Sequence, residues 1–298
     1  HFTMKTNIRG VGVALVTPFT DEDGVDFAAL DKLIERVIGG GADYLVALGT
    51  TAETPALSGS EKEAILRFVV ERSAGRVPVI AGLGGNSTAD VVSALRSANL
   101  DGVDAVLSVT PYYNKPSQEG IYRHYKALAE ASPCGIVLYN VPGRTGVNMT
   151  AQTVLRLAHD CGNIIGVKEA SGNLSQAAYI LKDRPEGFAV ISGDDSLTVP
   201  MAALGGDGII SVAANAFTGK FCRMAHEALD GRFGEASALH MQMIEAIDAL
   251  FEEGNPVGIK CALSCMGLIR NRLRLPLVRA SESLERKMSR LIEENELA

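Results

Sequence analysis

Along the chain, short runs of apolar and β-branched residues alternate with stretches in which apolar positions recur every three or four residues. The runs predict strands at Val11–Val16, Tyr44–Leu48, Val77–Ala81, Ala105–Val109, Gly135–Tyr139, Ile164–Lys168, Phe188–Ser192 and Gly208–Val212. Between them the helical spacing predicts helices such as Phe27–Val37, Glu61–Arg72, Thr88–Ala98 and Gln118–Glu130. Strands that are apolar throughout belong to sheets covered on both faces, which are the parallel ones. Eight strand–helix units in succession predict an α/β chain, and eight is the number that closes a TIM (β/α)8 barrel. An open doubly wound sheet is the competing arrangement. Gly39-Gly40-Gly41 and Gly205-Gly206 stand just before strands, where turns need positive φ, and read as turns rather than phosphate loops. Past the eighth unit only helical spacing remains, at Glu235–Phe251, Pro256–Leu268 and Ser281–Glu296. The expected organisation is a barrel over residues 1–234 and an all-helical C-terminal extension over residues 235–298, packed on it.

Composition narrows the function. The 298 residues carry 35 acidic side chains against 28 Lys plus Arg, a net charge of −7. This balance argues against binding a phosphate backbone, which depends on cationic side chains. No apolar run reaches the ~18 residues of a membrane span. The start, His1-Phe2-Thr3-Met4-Lys5, has no apolar signal core and reads as a tag remnant before Met4. Five scattered cysteines fit reduced thiols in a cytoplasmic protein better than a disulfide framework. Arg270, Arg272, Arg274 and Arg279 form a local basic stretch, expected to be solvated or to face another subunit.

A (β/α)8 barrel does its chemistry at the C-terminal ends of its strands, and the unusual residues fall there. Strand two runs into Gly49-Thr50-Thr51-Ala52-Glu53, strand four into Thr110-Pro111-Tyr112-Tyr113-Asn114, and strand five into Tyr139-Asn140-Val141-Pro142-Gly143-Arg144. Strand six ends in Lys168-Glu169 and strand seven in Ser192-Gly193-Asp194-Asp195. With Tyr122 just downstream, four of the seven tyrosines cluster at or near these ends. By period-two alternation Lys168 shares a face with Ile164 and Gly166. A water-poor barrel interior depresses a lysine pKa, and a neutral amine there can attack a carbonyl to form a Schiff base. A lysine that reaches out at the strand end, or one paired with Glu169, is the structural alternative. Imine chemistry needs protons moved to and from the carbonyl oxygen, and a hydroxyl chain such as Tyr139–Thr50–Tyr113 can carry them without a metal. Arg144, in a glycine-bracketed loop, suits a substrate carboxylate; a surface arginine is the other reading.

The remaining candidates read as structure. His124, His159, His226 and His240 fall singly on helices without metal spacing, Cys261 and Cys265 lie on one apolar helix face, and Asp194-Asp195 suits a helix cap better than a metal. Gly82-Leu83-Gly84-Gly85-Asn86 lacks the full dinucleotide fingerprint and reads as a strand–helix loop.

In order and spacing, G-T-T-x-E, T-P-Y-Y-N-K-P, Y-N-V-P-x-R-T-G, G-V-K-E-A-S-G and S-G-D-D resemble the dihydrodipicolinate synthase family, pyruvate-dependent class I aldolases of lysine biosynthesis. The resemblance runs from about Ile8 to Pro276. It implies a TIM barrel with a C-terminal helical region, and a lyase that condenses pyruvate with L-aspartate 4-semialdehyde. Lys168 would carry the imine, Tyr139 would be the central acid/base linked to Thr50, and Tyr113 would reach in from the neighbouring subunit of a tight dimer. Thr51 would bind the pyruvate carboxylate, Arg144 that of the aldehyde, and the Gly193 and Ile210 backbones would line the pocket. It implies no metal or organic cofactor, and a homotetramer built as a dimer of dimers.

Two departures bear on the family pattern. Ala52 replaces a usual glycine. In the interface pocket that binds inhibitory lysine in some members, Asn86, Asp90 and Tyr112 have counterparts, but Lys62 stands where strongly inhibited members carry His. A permanent cation there would repel the ligand's ammonium groups, so lysine inhibition is expected to be weak or absent. N-acetylneuraminate lyase and 2-keto-3-deoxy sugar acid aldolases share the lysine, the tyrosine and the barrel; Thr50-Thr51, Tyr113 and Arg144 distinguish this chain from them. A catalytically inactive regulatory barrel would be expected to have lost Lys168 or Tyr139.

Overall fold

In a computed structural model, which describes residues 8–298, eight strands close in sequential order into an all-parallel barrel. The start read as a tag remnant lies outside the described residues. The strands are β1 (Gly10–Ala14), β2 (Tyr44–Ala47), β3 (Val79–Gly82), β4 (Ala105–Val109), β5 (Gly135–Asn140), β6 (Ile164–Glu169), β7 (Ala189–Ser192) and β8 (Gly208–Ser211). Between and after them run α1 (Phe27–Gly39), α2 (Gly59–Ser73), α3 (Thr88–Ser97), α4 (Gln118–Ala131), α5 (Pro142–Thr145), α6 (Ala151–Asp160), α7 (Leu174–Asp183), α8 (Thr198–Ala203), α9 (Thr218–Leu229), α10 (Phe233–Ala249), α11 (Val257–Cys265) and α12 (Glu282–Glu294). The closed β8–β1 pairing disposes of the open-sheet alternative. No described helix is long and apolar enough to cross a membrane.

Two apolar layers arise from the fully buried strands. Inward side chains such as Tyr44, Val46, Ile80, Leu107, Val137, Ile191 and Ile210 fill the barrel. Outward ones meet the helices in larger clusters. Gly12 makes room for the Tyr44 ring, since a Cβ there would sit 2.2 Å from it. The extension does not form a core of its own: Met243, Ile247, Leu263 and Leu291 share one cluster with Val11, Leu45 and Phe217 of the barrel.

Three of the strand junctions at the base are braced alike. Asp43, Asp104 and Asp207, each just before a strand, accept the N–H of Val11, Val79 and Val190 of the preceding strand at 2.7–2.9 Å. Each also donates its own N–H to the carbonyl of that same residue. A buried strand end would otherwise leave these donors unpaired, at a cost of about 1–3 kcal/mol each.

Within the basic stretch Arg270, Arg272 and Arg274 are tied to acids of the same chain, while Arg279 is exposed. Arg270 pairs with Asp21 and Asp26, Arg272 with Asp23, and Arg274 with Asp23 and Glu61. The segment after α11 is thus laid as a strap across the loops that come after β1 and β2. Local sequence does not reveal these pairs, because the partners lie more than 200 residues away.

Candidate active site

Lys168 is buried, 7% exposed, at the C-terminal end of β6 and opposite Tyr139 of β5 in the ladder. It points inward as the alternation required, but Ile164 does not share its face. The β5–β6 register shifts between Ile136 and Val137, skipping Ile165, so Ile164 packs outward among the helices. An extra residue of this kind breaks the period of two and re-aims the side chains beyond it.

The Lys168 Nζ lies 4.1 Å from the centroid of the Tyr139 ring and within hydrogen-bonding reach of its hydroxyl. The Thr50 hydroxyl, at the start of the 3-10 turn after β2, reaches the same phenol. Burial works to raise the Tyr139 pKa, but the Lys168 charge, the Thr50 hydrogen bond and the Arg144 guanidinium outweigh it and hold the phenol below its ordinary value. Gly193 is packed against Lys168: a Cβ there would come within 3.1 Å of Cε and 2.6 Å of Ala170. Ile210 belongs to the same interior cluster as Tyr139.

Glu169 does not pair with Lys168. It faces outward, where its carboxylate accepts from Asn140 Nδ2 at 3.0 Å, the Ser171 N–H at 3.1 Å and Gln176 Nε2 at 3.1 Å. Asn140 Oδ1 in turn accepts the Met149 N–H at 2.9 Å. Alternation thus gives neighbouring strand-end residues opposite tasks: Tyr139 and Lys168 face the interior, while Asn140 and Glu169 tie the strand ends together.

Thr51 is buried, and its Oγ1 accepts from Asn255 Nδ2 at 3.0 Å. Arg144, exposed on α5, donates to the Asn255 carbonyl at 3.3 Å. Asn255 therefore joins the two candidate anion-binding residues, and nothing in its local sequence singles it out. Lys260 also escapes the sequence reading, although a lone cation within the apolar run Val257-Gly258-Ile259-Lys260-Cys261-Ala262-Leu263 is a signal that could have found it.

Tyr113 does not join Tyr139 and Thr50 within the chain. Its side chain is 89% exposed at φ 74° and makes no hydrogen bond among the described residues. Tyr122 also stands apart: its hydroxyl donates to Asp160 at 2.7 Å and its ring carries Arg156, both far from the strand ends in the outer helices. Asn86 donates to the Tyr112 carbonyl at 3.1 Å, whereas Asp90 is exposed on α3 and Lys62 is half-buried on α2.

The structural readings hold for the other candidates. Asp194 accepts from the Ser196 N–H and hydroxyl, and buried Asp195 accepts from Ser211 Oγ and the Val212 and Ala213 N–H groups. His124 bonds Thr88 and His226 bonds Asp43. Among the described residues, no three His, Cys, Asp or Glu side chains are grouped to hold a metal ion. Cys261 is fully buried in α11.

Known proteins share this fold. The model of the dihydrodipicolinate synthetase family matches residues 7–295. The chain belongs to that family. The 4-hydroxy-tetrahydrodipicolinate synthase of Parabacteroides distasonis is 55% identical over 272 residues, covering 91% of this chain and 92% of the relative. A monomeric dihydrodipicolinate synthase variant superposes with a TM-score of 0.96 at 39% identity, covering 99% of each chain. The family enzyme of Acinetobacter baumannii, chloride-inhibited and complexed with pyruvate, superposes at 0.94 with 39% identity, covering 98% of this chain and all of that one.

Proposed function

We propose that the chain is a 4-hydroxy-tetrahydrodipicolinate synthase, a class I aldolase-type lyase that condenses pyruvate with L-aspartate 4-semialdehyde in the cytoplasm. The observation that carries this is a buried lysine at a barrel-strand end, set against a buried phenol that a threonine hydroxyl also reaches. Lys168, once it has given up a proton, attacks the pyruvate carbonyl through its amine, and loss of water leaves the imine. Tyr139 gives and takes the protons this requires, its lowered pKa making the phenol the readier donor. Loss of a methyl proton gives an enamine that attacks the aldehyde carbon. The substrate's own amine then closes the ring at the imine carbon and expels Lys168, so the amine is regenerated and no redox partner is needed. Thr51 takes the pyruvate carboxylate and Arg144 the carboxylate of the aldehyde.

Tyr113 completes the proton path from a second copy of the chain, in a homo-oligomer assembled as a dimer of dimers. Its exposed side chain, unpartnered within its own chain, supports this; the similarity to a monomeric variant means the barrel fold does not itself require it. The test is intact mass after borohydride treatment with and without pyruvate, then peptide mapping. A pyruvate-dependent adduct on Lys168 is expected; no adduct, or one on another lysine, refutes the reading.

A further inference from the structure

The loop carrying Thr50 and Thr51 is held less by the barrel than by the C-terminal extension. Thr17 Oγ1 donates to the Ala52 carbonyl at 2.8 Å from the β1 side. Apart from the contact of Thr50 with Tyr139, the other anchors come from beyond residue 250. Glu53 turns the chain at φ 56°, a left-handed conformation that an L residue holds only when its surroundings enforce it. Its carboxylate is buried, 2.5 Å from Lys260 Nζ of α11, and accepts the Arg274 N–H at 2.9 Å. Lys260 is itself fully buried, donates to the Arg272 carbonyl at 2.9 Å and lies 4.2 Å over the Phe19 ring. An isolated buried charge is costly, and such a pair persists only with both partners and further hydrogen bonds present.

Asn255 acts on the hydroxyl itself. Its amide donates to one of the two lone pairs of Thr51 Oγ1, a bond in which the hydroxyl is the acceptor, so the Thr51 O–H points elsewhere and is left to donate. A free O–H donor is the group an anionic substrate oxygen requires.

We propose that the C-terminal extension is a working part of the pyruvate site: Asn255 and the Glu53–Lys260 pair are positioning residues that fix the Thr50–Thr51 turn and aim the Thr51 hydroxyl as a donor to the pyruvate carboxylate. This rests on the role given to Thr51 above. A purely structural extension would alter stability and the fraction of active enzyme; a positioning one alters affinity for one of the two substrates.

The experiment is steady-state kinetics on Asn255→Ala and on the double variant Glu53→Gln with Lys260→Met, alongside thermal unfolding and borohydride trapping. Asn255→Ala buries no charge, so it remains informative if the double variant does not fold. Removing the donor costs about one neutral hydrogen bond at Thr51, so the KM for pyruvate is expected to rise about tenfold. The kcat and the unfolding midpoint of Asn255→Ala should stay near wild type, and the double variant should show the same rise in KM. If wild-type enzyme is trapped by pyruvate at Lys168 but both variants keep the wild-type KM for pyruvate, this inference falls while the functional reading stands. If wild-type enzyme is not trapped at all, the functional reading falls and takes the inference with it.

Discussion

Glu169, the immediate neighbour of Lys168, offers the sharpest separation of chemistry from scaffolding. Glu169→Gln keeps one oxygen for Asn140 and Ser171 but turns the other corner into an amide facing the Gln176 Nε2 donor, 3.1 Å away. One charge-assisted hydrogen bond is lost outright, worth about 1.5–3 kcal/mol. Gln176 retains the Met149 carbonyl at 3.2 Å and Asn148 Oδ1 at 3.3 Å, which places the cost toward the lower end, about 2 kcal/mol. For a chain of this length that is roughly a 4 °C fall in the unfolding midpoint. Because the carboxylate faces away from the barrel interior, pyruvate trapping at Lys168 should proceed at the wild-type rate. Differential scanning fluorimetry and timed borohydride quenching read the two quantities separately. A variant that keeps its unfolding midpoint but loses trapping would mean that Glu169 sets the state of the lysine, and the opposed-face argument would be wrong.

The same geometry sets other outcomes. Tyr139→Phe should cut kcat by about 10²–10⁴, the range for losing a positioned acid/base; turnover within a factor of a few of wild type would remove Tyr139 from the proton path. Arg144→Ala should raise the KM for the aldehyde while leaving the pyruvate adduct intact, and unchanged aldehyde kinetics would refute its role. L-lysine should inhibit weakly or not at all because of Lys62, an expectation that strong inhibition at low concentration in a direct titration would overturn. The hydrogen bond to Asp43 raises the His226 pKa above its ordinary value of 6.5. Its stabilisation is therefore complete below about 6.5 and lost as pH rises through the higher folded value. Unfolding midpoints recorded across that window should fall in wild type and flatten in His226→Gln; identical profiles would discount the pair.

The barrel is legible because its strands are short apolar runs at regular intervals, a local signal that survives without tertiary information. The candidate site residues are legible for a related reason: phenols, a lysine and threonines at strand ends break an otherwise apolar pattern. The features that escape are non-local or conformational. The register shift at Ile165 turns Ile164 outward, yet it leaves no mark in composition. The pairing of Glu53 with Lys260 spans more than 200 residues, and the arginine strap finds its acids in loops near the start of the chain. Short elements such as Pro142–Thr145, which carries Arg144, are too brief to show a helical period.

The aspartate braces at the base and the Asn140–Glu169 tie at the top have a mechanical consequence when considered together. Strand pairs β1–β2, β3–β4 and β7–β8 are riveted at the end remote from the chemistry. The β5–β6 pair, which bears the phenol and the amine, is instead clamped at its reactive tip. Fraying, which elsewhere would begin at the open mouth, is thereby displaced away from the two groups whose separation matters most. In hydrogen exchange, the amides around Tyr139 and Lys168 should be among the slowest at that face, so that a pocket which must admit two substrates stays firm at its working edge.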